Sequence, residues 1–183
     1  MKKIYDKSLC VFCGSRFGKS KNFQKAAKQL GRLIAQSKTR LVYGGGNLGL
    51  MGIVASSTLK NGGDVLGVIP RHLLLKEAGK MDLPNLVITD TMHNRKDRMY
   101  KESEAFIILP GGIGTLDEFF EILTWSQLDI HKKNIVLLNI DNFWDPLIKL
   151  LDHQINNGFV DPTIKNFFIV SYTPHHAIKA ALE

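Results

Sequence analysis

The sequence predicts an α/β fold: a single doubly wound, Rossmann-like domain with a mostly parallel sheet of about seven strands. Short apolar runs rich in β-branched residues alternate with longer segments whose apolar residues recur every three or four positions. Parallel strands covered by helices on both faces produce this alternation. No linker rich in Pro, Gly or Ser interrupts the 183 residues, a length that suits one domain. We therefore expect one domain over residues 1–183.

The predicted strands are short and apolar throughout, as expected for strands buried on both faces. In chain order they are Leu9–Cys13, Arg40–Tyr43, Val65–Ile69, Leu86–Thr89, Ala105–Leu109, Ile135–Ile140 and Phe167–Val170. The predicted helices are Asn22–Ser37, Leu50–Asn61, His93–Glu102, Leu116–Ile130, Trp144–Asn157 and Pro174–Leu182. In such a sheet the ligand lies at the carboxyl ends of the strands. The loops that follow strands therefore hold the candidate site.

The composition narrows the classes of function. Lys and Arg number 24 against 17 Asp and Glu, a net charge of +7, which suggests a nucleic acid or a smaller anion as partner. A nucleic-acid binder would need a basic stripe with interleaved aromatic residues, whereas the lysines are dispersed. No apolar run approaches the roughly 20 residues of a membrane span, and no signal-peptide core follows the basic start. We expect a cytoplasmic protein with no membrane or nucleic-acid partner.

The two cysteines form a Cys-x-x-Cys pattern, Cys10 and Cys13, which can indicate redox or metal chemistry. Because residues three apart on a strand point to opposite faces, the two thiols should diverge. There is no second cysteine pair, and the six His residues are scattered. We therefore interpret both cysteines as small buried apolar residues, and we expect no metal.

The first glycine-rich loop follows a predicted strand and opens a helix. Its glycines are a candidate phosphate or nucleotide loop: Gly44, Gly45, Gly46 and Gly49. Three of them fit the G-x-G-x-x-G pattern of a nicotinamide-dependent oxidoreductase, which needs an acidic residue about twenty positions later. Asp64 lies at that distance, but it precedes a strand rather than following one. A tight strand-to-helix turn is the alternative interpretation.

The second glycine-rich loop, Leu109–Glu118, also ends a strand and opens a helix. Glycine lets a ligand approach the backbone, and a helix N-terminus presents N–H groups to an anion. The loop lacks the Lys-Ser/Thr of a P-loop, which speaks against nucleoside-triphosphate hydrolysis. Thr115 and Glu118 fit a Thr-x-x-Glu capping box. Equally, Glu118 beside a phosphate-sized loop could face a sugar.

A third strand end, Asp90–Met99, carries several basic residues. Asp90 or Thr91 can cap the following helix, which places Arg95 and Lys96 in its early turns. Cations in those turns oppose the helix dipole, so a phosphate or carboxylate ligand would relieve the conflict. A solvated basic face is the alternative interpretation.

Four segments are informative together: Pro110–Glu118, Met92–Lys96, Tyr43–Gly52 and Gly67–Pro70. In their residues and in their order along the chain they resemble motifs of the Lonely-Guy (LOG) family of cytokinin riboside 5′-monophosphate phosphoribohydrolases, once widely labelled lysine decarboxylases. The first segment is similar to the family's P-G-G-x-G-T-x-x-E motif. The resemblance runs from about residue 13 to residue 158 and includes the stretch from 124 to 132.

The resemblance implies roles for single residues. Arg95 and Glu118 match the pair regarded as catalytic, and Asp117 stands where the family often has Glu. Positions that bind the substrate in the family are matched by Glu77, Met92, Lys96, Gly111, Gly112, Gly114, Thr115 and Thr124. The resemblance also implies a homodimer, with the helix around Phe119–Ile130 as a plausible contact.

The implied reaction is hydrolysis of the N-glycosidic bond of a purine nucleoside 5′-monophosphate, of cytokinin type or plain adenosine monophosphate (AMP). Departure of the base leaves positive charge on the ribose, which Glu118 would stabilise while it orients or deprotonates water. Arg95 would neutralise the leaving purine, and no cofactor is required. The alternative is a non-catalytic carrier of a nucleotide or of the molybdenum cofactor, which needs the phosphate loop but not this pair. No lysine has a recognisable pyridoxal-phosphate context.

Overall fold

The structure is a computed structural model that describes residues 5–74, 83 and 85–183. Seven strands occur in this part of the chain: β1 Lys7–Phe12, β2 Thr39–Tyr43, β3 Val65–Pro70, β4 Asn85–Thr89, β5 Ala105–Ile108, β6 Asn134–Leu138 and β7 Ile169–Ser171. They form one sheet in the order β4-β3-β2-β1-β5-β6-β7. Every neighbouring pair is parallel. The predicted α/β fold is confirmed.

Six α-helices connect or follow these strands within the described residues: α1 Lys21–Gln36, α2 Gly49–Lys60, α3 Met92–Lys101, α4 Ile113–Gln127, α5 Asp145–Asn156 and α6 Pro174–Leu182. The helix with the most displaced start is α4, which begins at Ile113 rather than at the predicted Leu116. The predicted cap at Thr91 is formed, because its hydroxyl accepts from the Asn94 N–H at 3.1 Å. Ser20 caps α1 in the same way and accepts from the Asn22 N–H at 3.1 Å. No helix of the described part combines the length and apolar character needed to cross a bilayer.

The strand order reverses at the centre of the sheet. β1 pairs with β2 on one side and with β5 on the other, so that Leu9 lies opposite both Leu41 and Ala105. The loops that follow β1 and β5 start at neighbouring strands and lead to helices on opposite faces. A crevice opens at this switch point, which is where open α/β sheets bind ligands.

The core has one apolar cluster on each face of the sheet. One includes Leu9 and Val11 of β1 together with residues of α1, α2 and α6. The other includes Cys10 and Phe12 together with residues of α3, α4 and α5. Because side chains alternate along a strand, β1 supplies both clusters. Cys13 joins the first cluster and Cys10 the second, so the prediction that the two thiols diverge is confirmed.

Candidate active site

A cavity of about 550 Å³ lies at the switch point, a volume typical of small-molecule sites. Two loops at the carboxyl ends of β1 and β5 form most of its wall. α2, α3, α4 and two aromatic side chains complete it. The described residues that line it are Cys13, Gly14, Ser15, Arg16, Phe17, Gly18, Phe23, Leu50, Met51, Arg95, Pro110, Gly111, Gly112, Ile113, Gly114, Thr115, Glu118 and Phe143.

Arg95 is held by main-chain oxygens at the floor of this cavity. Its side chain belongs to α3 and the residue is only 4% exposed. Nε donates to the Val68 carbonyl at 3.1 Å, and Nη2 donates to the Gly44 carbonyl at 2.9 Å. These two carbonyl oxygens accept hydrogen bonds from the guanidinium and so orient it towards the cavity.

The first glycine-rich loop supports Arg95 rather than lining the cavity. A Cβ atom at Gly44 would lie 2.1 Å from Arg95 Nη2, so no larger residue fits unless the guanidinium moves. None of the four predicted loop glycines is among the described residues that line the cavity, whereas Leu50 and Met51 just beyond them are. Asp64 bonds to Arg40 at 2.6 Å. It precedes β3 at the amino edge of the sheet, so it cannot bind a ribose at the cavity.

The N-terminus of α4 opens onto the cavity. The helix is capped by Gly112, which forms no side-chain cap hydrogen bond. A Cβ atom at Gly112 or Gly114 would meet nothing within 4 Å, so open space lies beside both. The first turn therefore presents N–H groups and the positive end of the helix dipole to an anion. The capping-box interpretation of Thr115 and Glu118 is wrong, because both residues lie inside the helix.

Glu118 lines the cavity together with Arg95, one helical turn beyond the glycine loop. The charges of Glu118 and Arg95 also affect the buried thiol of Cys10. Burial raises the pKa of this thiol well above its usual range, the negative charge of Glu118 raises it further, and the positive charge of Arg95 lowers it. Cys10 is therefore protonated and unreactive at neutral pH. Across the described residues, no group of three His, Cys, Asp or Glu side chains could hold a metal ion.

Lys96 lies at the junction of α3 and α4. Its Nζ atom is 3.1 Å from Asp117 and 3.0 Å from Glu121. Burial lowers the pKa of Lys96, but the hydrogen bonds to Glu121 and Asp117 outweigh it and the net shift is upward. The residue is not among those that line the cavity, so the structure gives Lys96 an ion-pair role between two helices.

The remaining predicted substrate contacts differ in their placement. Met92 is half-buried, and its Sδ atom lies 3.9 Å from Arg95 Nη1. Thr124 is exposed on α4 and is not among the described cavity residues. Glu77 lies outside the described residues. The structure therefore brings together Arg95, Glu118 and the second glycine-rich loop, places Met92 against Arg95, and leaves Lys96 and Thr124 outside the cavity wall.

Sequence reasoning missed the loop that follows β1 and the aromatic wall of the cavity. The loop contributes Ser15, Arg16 and Phe17, and the wall adds Phe23 and Phe143, whose ring centroids are 5.6 Å apart at 79°. The signal for the loop was available, because it follows a predicted strand as the two glycine-rich loops do. The contribution of Phe143 had no local signal, since it follows a different strand and reaches the cavity only through tertiary packing.

Comparison with known proteins identifies the family of the chain. A family model described as "Possible lysine decarboxylase" matches residues 51–181. The cytokinin riboside 5′-monophosphate phosphoribohydrolase of Rhodococcoides fascians is 44% identical over 175 residues, which cover 95% of this chain and 88% of the relative. The enzyme of the same name, LOG3, from Arabidopsis thaliana is 40% identical over 179 residues, which cover 98% of this chain and 83% of the relative.

A solved structure shares the fold. The molybdenum cofactor binding protein of Rippkaea orientalis superimposes with a TM-score of 0.70 and 23% identity, covering 95% of this chain and 94% of that protein. At this identity the likeness concerns the fold alone. The sequence relatives show the family as well, since their similarity extends over nearly the whole chain and includes both site segments. The chain therefore belongs to the LOG family of cytokinin riboside 5′-monophosphate phosphoribohydrolases.

Proposed function

We propose that the protein hydrolyses the N-glycosidic bond of purine nucleoside 5′-monophosphates, releasing the free base and ribose 5-phosphate. One observation carries the proposal: Arg95 and Glu118 line the same cavity as the N-terminus of α4, where no side chain caps the first turn. A binding site for a phosphate monoester, a cationic group and a carboxylate are the three elements that this reaction needs in one place. The names of the curated relatives support the same activity.

Each group has a distinct part in the proposed reaction. The backbone N–H groups at Gly112–Thr115 bind the 5′-phosphate and so fix the ribose. As the glycosidic bond breaks, positive charge grows on the ribose, and the Glu118 carboxylate stabilises it and deprotonates the attacking water. Arg95 donates hydrogen bonds to the leaving purine, whose nitrogen gains the bonding electrons. Phe17 and the aromatic wall of Phe23 and Phe143 offer apolar surface to the base and to any apolar substituent that it carries.

The test is a direct assay of base release. The protein is incubated with AMP, with an N6-prenylated AMP and with the unphosphorylated nucleosides, and free base and ribose 5-phosphate are separated by chromatography. We expect turnover of the monophosphates and little turnover of the nucleosides. The ratio between the two monophosphates shows whether the enzyme prefers a prenylated base. Binding without release of base would contradict the proposal and would favour a carrier.

The Glu118→Gln variant tests the mechanism, because it keeps the shape of the side chain and removes its charge. We expect kcat to fall by about 10²–10⁴-fold, the range for loss of a general acid–base group. Glu104→Gln is the matched control: Glu104 is exposed just before β5, at the opposite edge of the sheet. Near-normal base release by Glu118→Gln would overturn the assignment.

We further propose that the protein is a cytoplasmic homodimer. Leu128 and Ile130, which follow the end of α4, are 64% and 57% exposed and would be covered by a second copy. Phe119 is fully buried within this chain, so the contact would involve the exposed residues beyond it. The two buried cysteine thiols suit a reducing compartment. Light scattering coupled to size-exclusion chromatography should give twice the 20.5 kDa chain mass, and a monomer mass would contradict the dimer.

A further inference from the structure

The loop that follows β1 carries a basic residue, Arg16, and packs between the two glycine-rich loops, with Gly14 against Gly111 and Arg16 against Gly49. Gly14 donates its N–H to the Pro110 carbonyl at 3.1 Å and accepts from the Leu50 N–H at 3.0 Å. On one side, a Cβ atom built on Gly14 would lie 3.3 Å from the Cα of Gly111. The loop therefore rests directly against the proposed phosphate loop.

The first glycine-rich loop holds Arg16 from the other side. Gly49 has φ +58°, and a Cβ atom there would lie 2.3 Å from the Arg16 nitrogen and 2.2 Å from the Ser15 carbonyl carbon. Only glycine allows this approach in this backbone conformation. Gly49, which does not line the cavity, thus fixes the course of the chain at Ser15–Arg16.

The cavity contains two basic side chains among the described residues, Arg16 and Arg95. Arg95 is directed by bonds to Val68 and Gly44, while Lys96 is paired with Asp117 and Glu121 outside the cavity wall. Arg16 is exposed and lines the cavity with the second glycine-rich loop. Its backbone is fixed and its side chain is accessible to a ligand.

The N-terminus of α4 offsets only part of the negative charge of a 5′-phosphate. A phosphate monoester carries about −1.5 to −2 charges near pH 7, whereas a helix N-terminus is equivalent to roughly +0.5. The first turn of α4 contains no basic residue of its own, as Ile113, Gly114 and Thr115 show. A guanidinium can add two parallel charge-assisted hydrogen bonds to phosphate oxygens.

We propose that Arg16 binds the 5′-phosphate of the substrate and is a determinant of selectivity for nucleoside monophosphates over nucleosides. This inference rests on the proposed function, since it concerns the same cavity and the same substrate class. Arg16 acts on binding, whereas Arg95 and Glu118 act on the bond that breaks. The loss of Arg16 should therefore raise KM for the monophosphate far more than it lowers kcat.

The experiment compares Arg16→Gln and Arg16→Lys with Arg32→Gln, which removes an exposed arginine from α1. KM and kcat for AMP are measured, together with the rate on adenosine. We expect Arg16→Gln to raise KM for AMP on the order of 10- to 100-fold, the effect of losing hydrogen bonds to a charged group. Arg16→Lys should recover part of this loss, and adenosine turnover and the Arg32→Gln control should stay near wild type. An unchanged KM for AMP, or an equal loss on adenosine, would overturn the proposal.

Calorimetric titration of the same proteins with AMP separates this inference from the proposed function. If the wild type binds AMP but releases no base, the proposed function fails, yet weaker binding by Arg16→Gln still supports the phosphate contact. If Arg16→Gln binds AMP as tightly as the wild type does, the phosphate contact fails whatever the turnover. If the wild type does not bind AMP at all, both fail.

Discussion

Arg95 illustrates how a single residue depends on neighbours that are remote in the sequence. Its guanidinium is positioned by the carbonyls of Gly44 and Val68, which follow or belong to two other strands. The identity of Arg95 as a candidate could be predicted from its motif. Its support could not, because main-chain oxygens carry no sequence signal and become neighbours only when β2, β3 and α3 pack together.

Gly44→Ala should displace Arg95, because the new methyl group would lie 2.1 Å from Nη2. We expect kcat for base release to fall on the order of 10²-fold, since a misplacement of about 1 Å at a reacting group can cost that much. KM should change less, because the phosphate contacts are remote from Gly44. Steady-state kinetics on AMP measure both quantities.

Gly63→Ala provides the comparison for a glycine in a tight place. A Cβ atom there would lie 2.6 Å from Thr58 Cγ2 and 2.8 Å from Ala35 Cβ, before β3 and away from Arg95. This variant should lower the melting temperature without a specific loss of kcat. If Gly44→Ala also lost only stability and kept its kcat, the role of Gly44 in positioning Arg95 would be disproved.

At the scale of elements, an ion pair joins the two helices that carry the proposed catalytic groups. Lys96 follows Arg95 on α3, and Asp117 precedes Glu118 on α4. The pair Lys96–Asp117 and the contact of Lys96 with Glu121 lie outside the cavity, while their sequence neighbours line it. The ion pairs of Lys96 therefore connect α3 to α4, while the neighbouring residues Arg95 and Glu118 form part of the site.

Lys96→Met should loosen this junction. We expect the free energy of unfolding to fall by about 1 kcal/mol, a modest value because Asp117 is 55% exposed and solvent screens the pair. kcat should also fall, since Arg95 and Glu118 lose their common support. Urea denaturation measures the first effect and the base-release assay the second.

Lys101→Met is the matched control, because it removes the exposed pair between Lys101 and Asp97 on the outer face of α3. It should change neither stability nor turnover measurably. If Lys96→Met behaved in the same way as this control, the junction would have no such role. If Lys96→Met instead raised KM alone, Lys96 would contact the nucleotide as the family resemblance implies.

The start of α4 shows what local patterns miss at this scale. Thr115 and Glu118 have the spacing of a capping box, which predicts a helix that starts at Leu116. In the structure the helix starts at Ile113, with Gly112 at the N-cap position. The same residues could form a capping box or lie within the first turns of the helix. The position of the helix start in the structure decides for the second arrangement.

At the scale of the whole molecule, His131 links stability to pH. It is 7% exposed, its Nε2 lies 2.9 Å from the Ile122 carbonyl, and its Nδ1 accepts from the Lys133 N–H. Burial lowers the pKa of His131, the bond to Ile122 opposes this, and the nearby charge of Lys133 lowers it further. The unfolded chain therefore takes up a proton more readily than the folded one below about pH 6.5.

The contribution of neutral His131 to the free energy of unfolding should therefore be at its full value above about pH 6.5. It should decrease as the pH falls towards the lowered pKa of His131. Urea denaturation at pH 7.5 and at pH 5.5 measures the difference. His131→Gln should reduce this pH dependence, because Gln can still donate to the Ile122 carbonyl but does not titrate. His153→Gln, at an exposed site on α5, should keep the dependence of the wild type. If the free energy of unfolding changed equally between pH 7.5 and pH 5.5 in all three proteins, His131 would be ruled out as the cause.

The sequence by itself determined the α/β class and the placement of nearly all helices and strands, and its resemblance to the LOG family singled out the two residues on which the proposed chemistry depends. These follow from periodicity and from motifs such as Pro110–Glu118, which are local properties of the chain. Only the tertiary structure decided the strand order, the pairing of Lys96 with α4, the hydrogen bond from Arg95 to the Gly44 carbonyl, and the presence of Arg16 in the cavity. Each of these joins segments far apart in the sequence, and such contacts depend on how buried faces pack together rather than on any local preference.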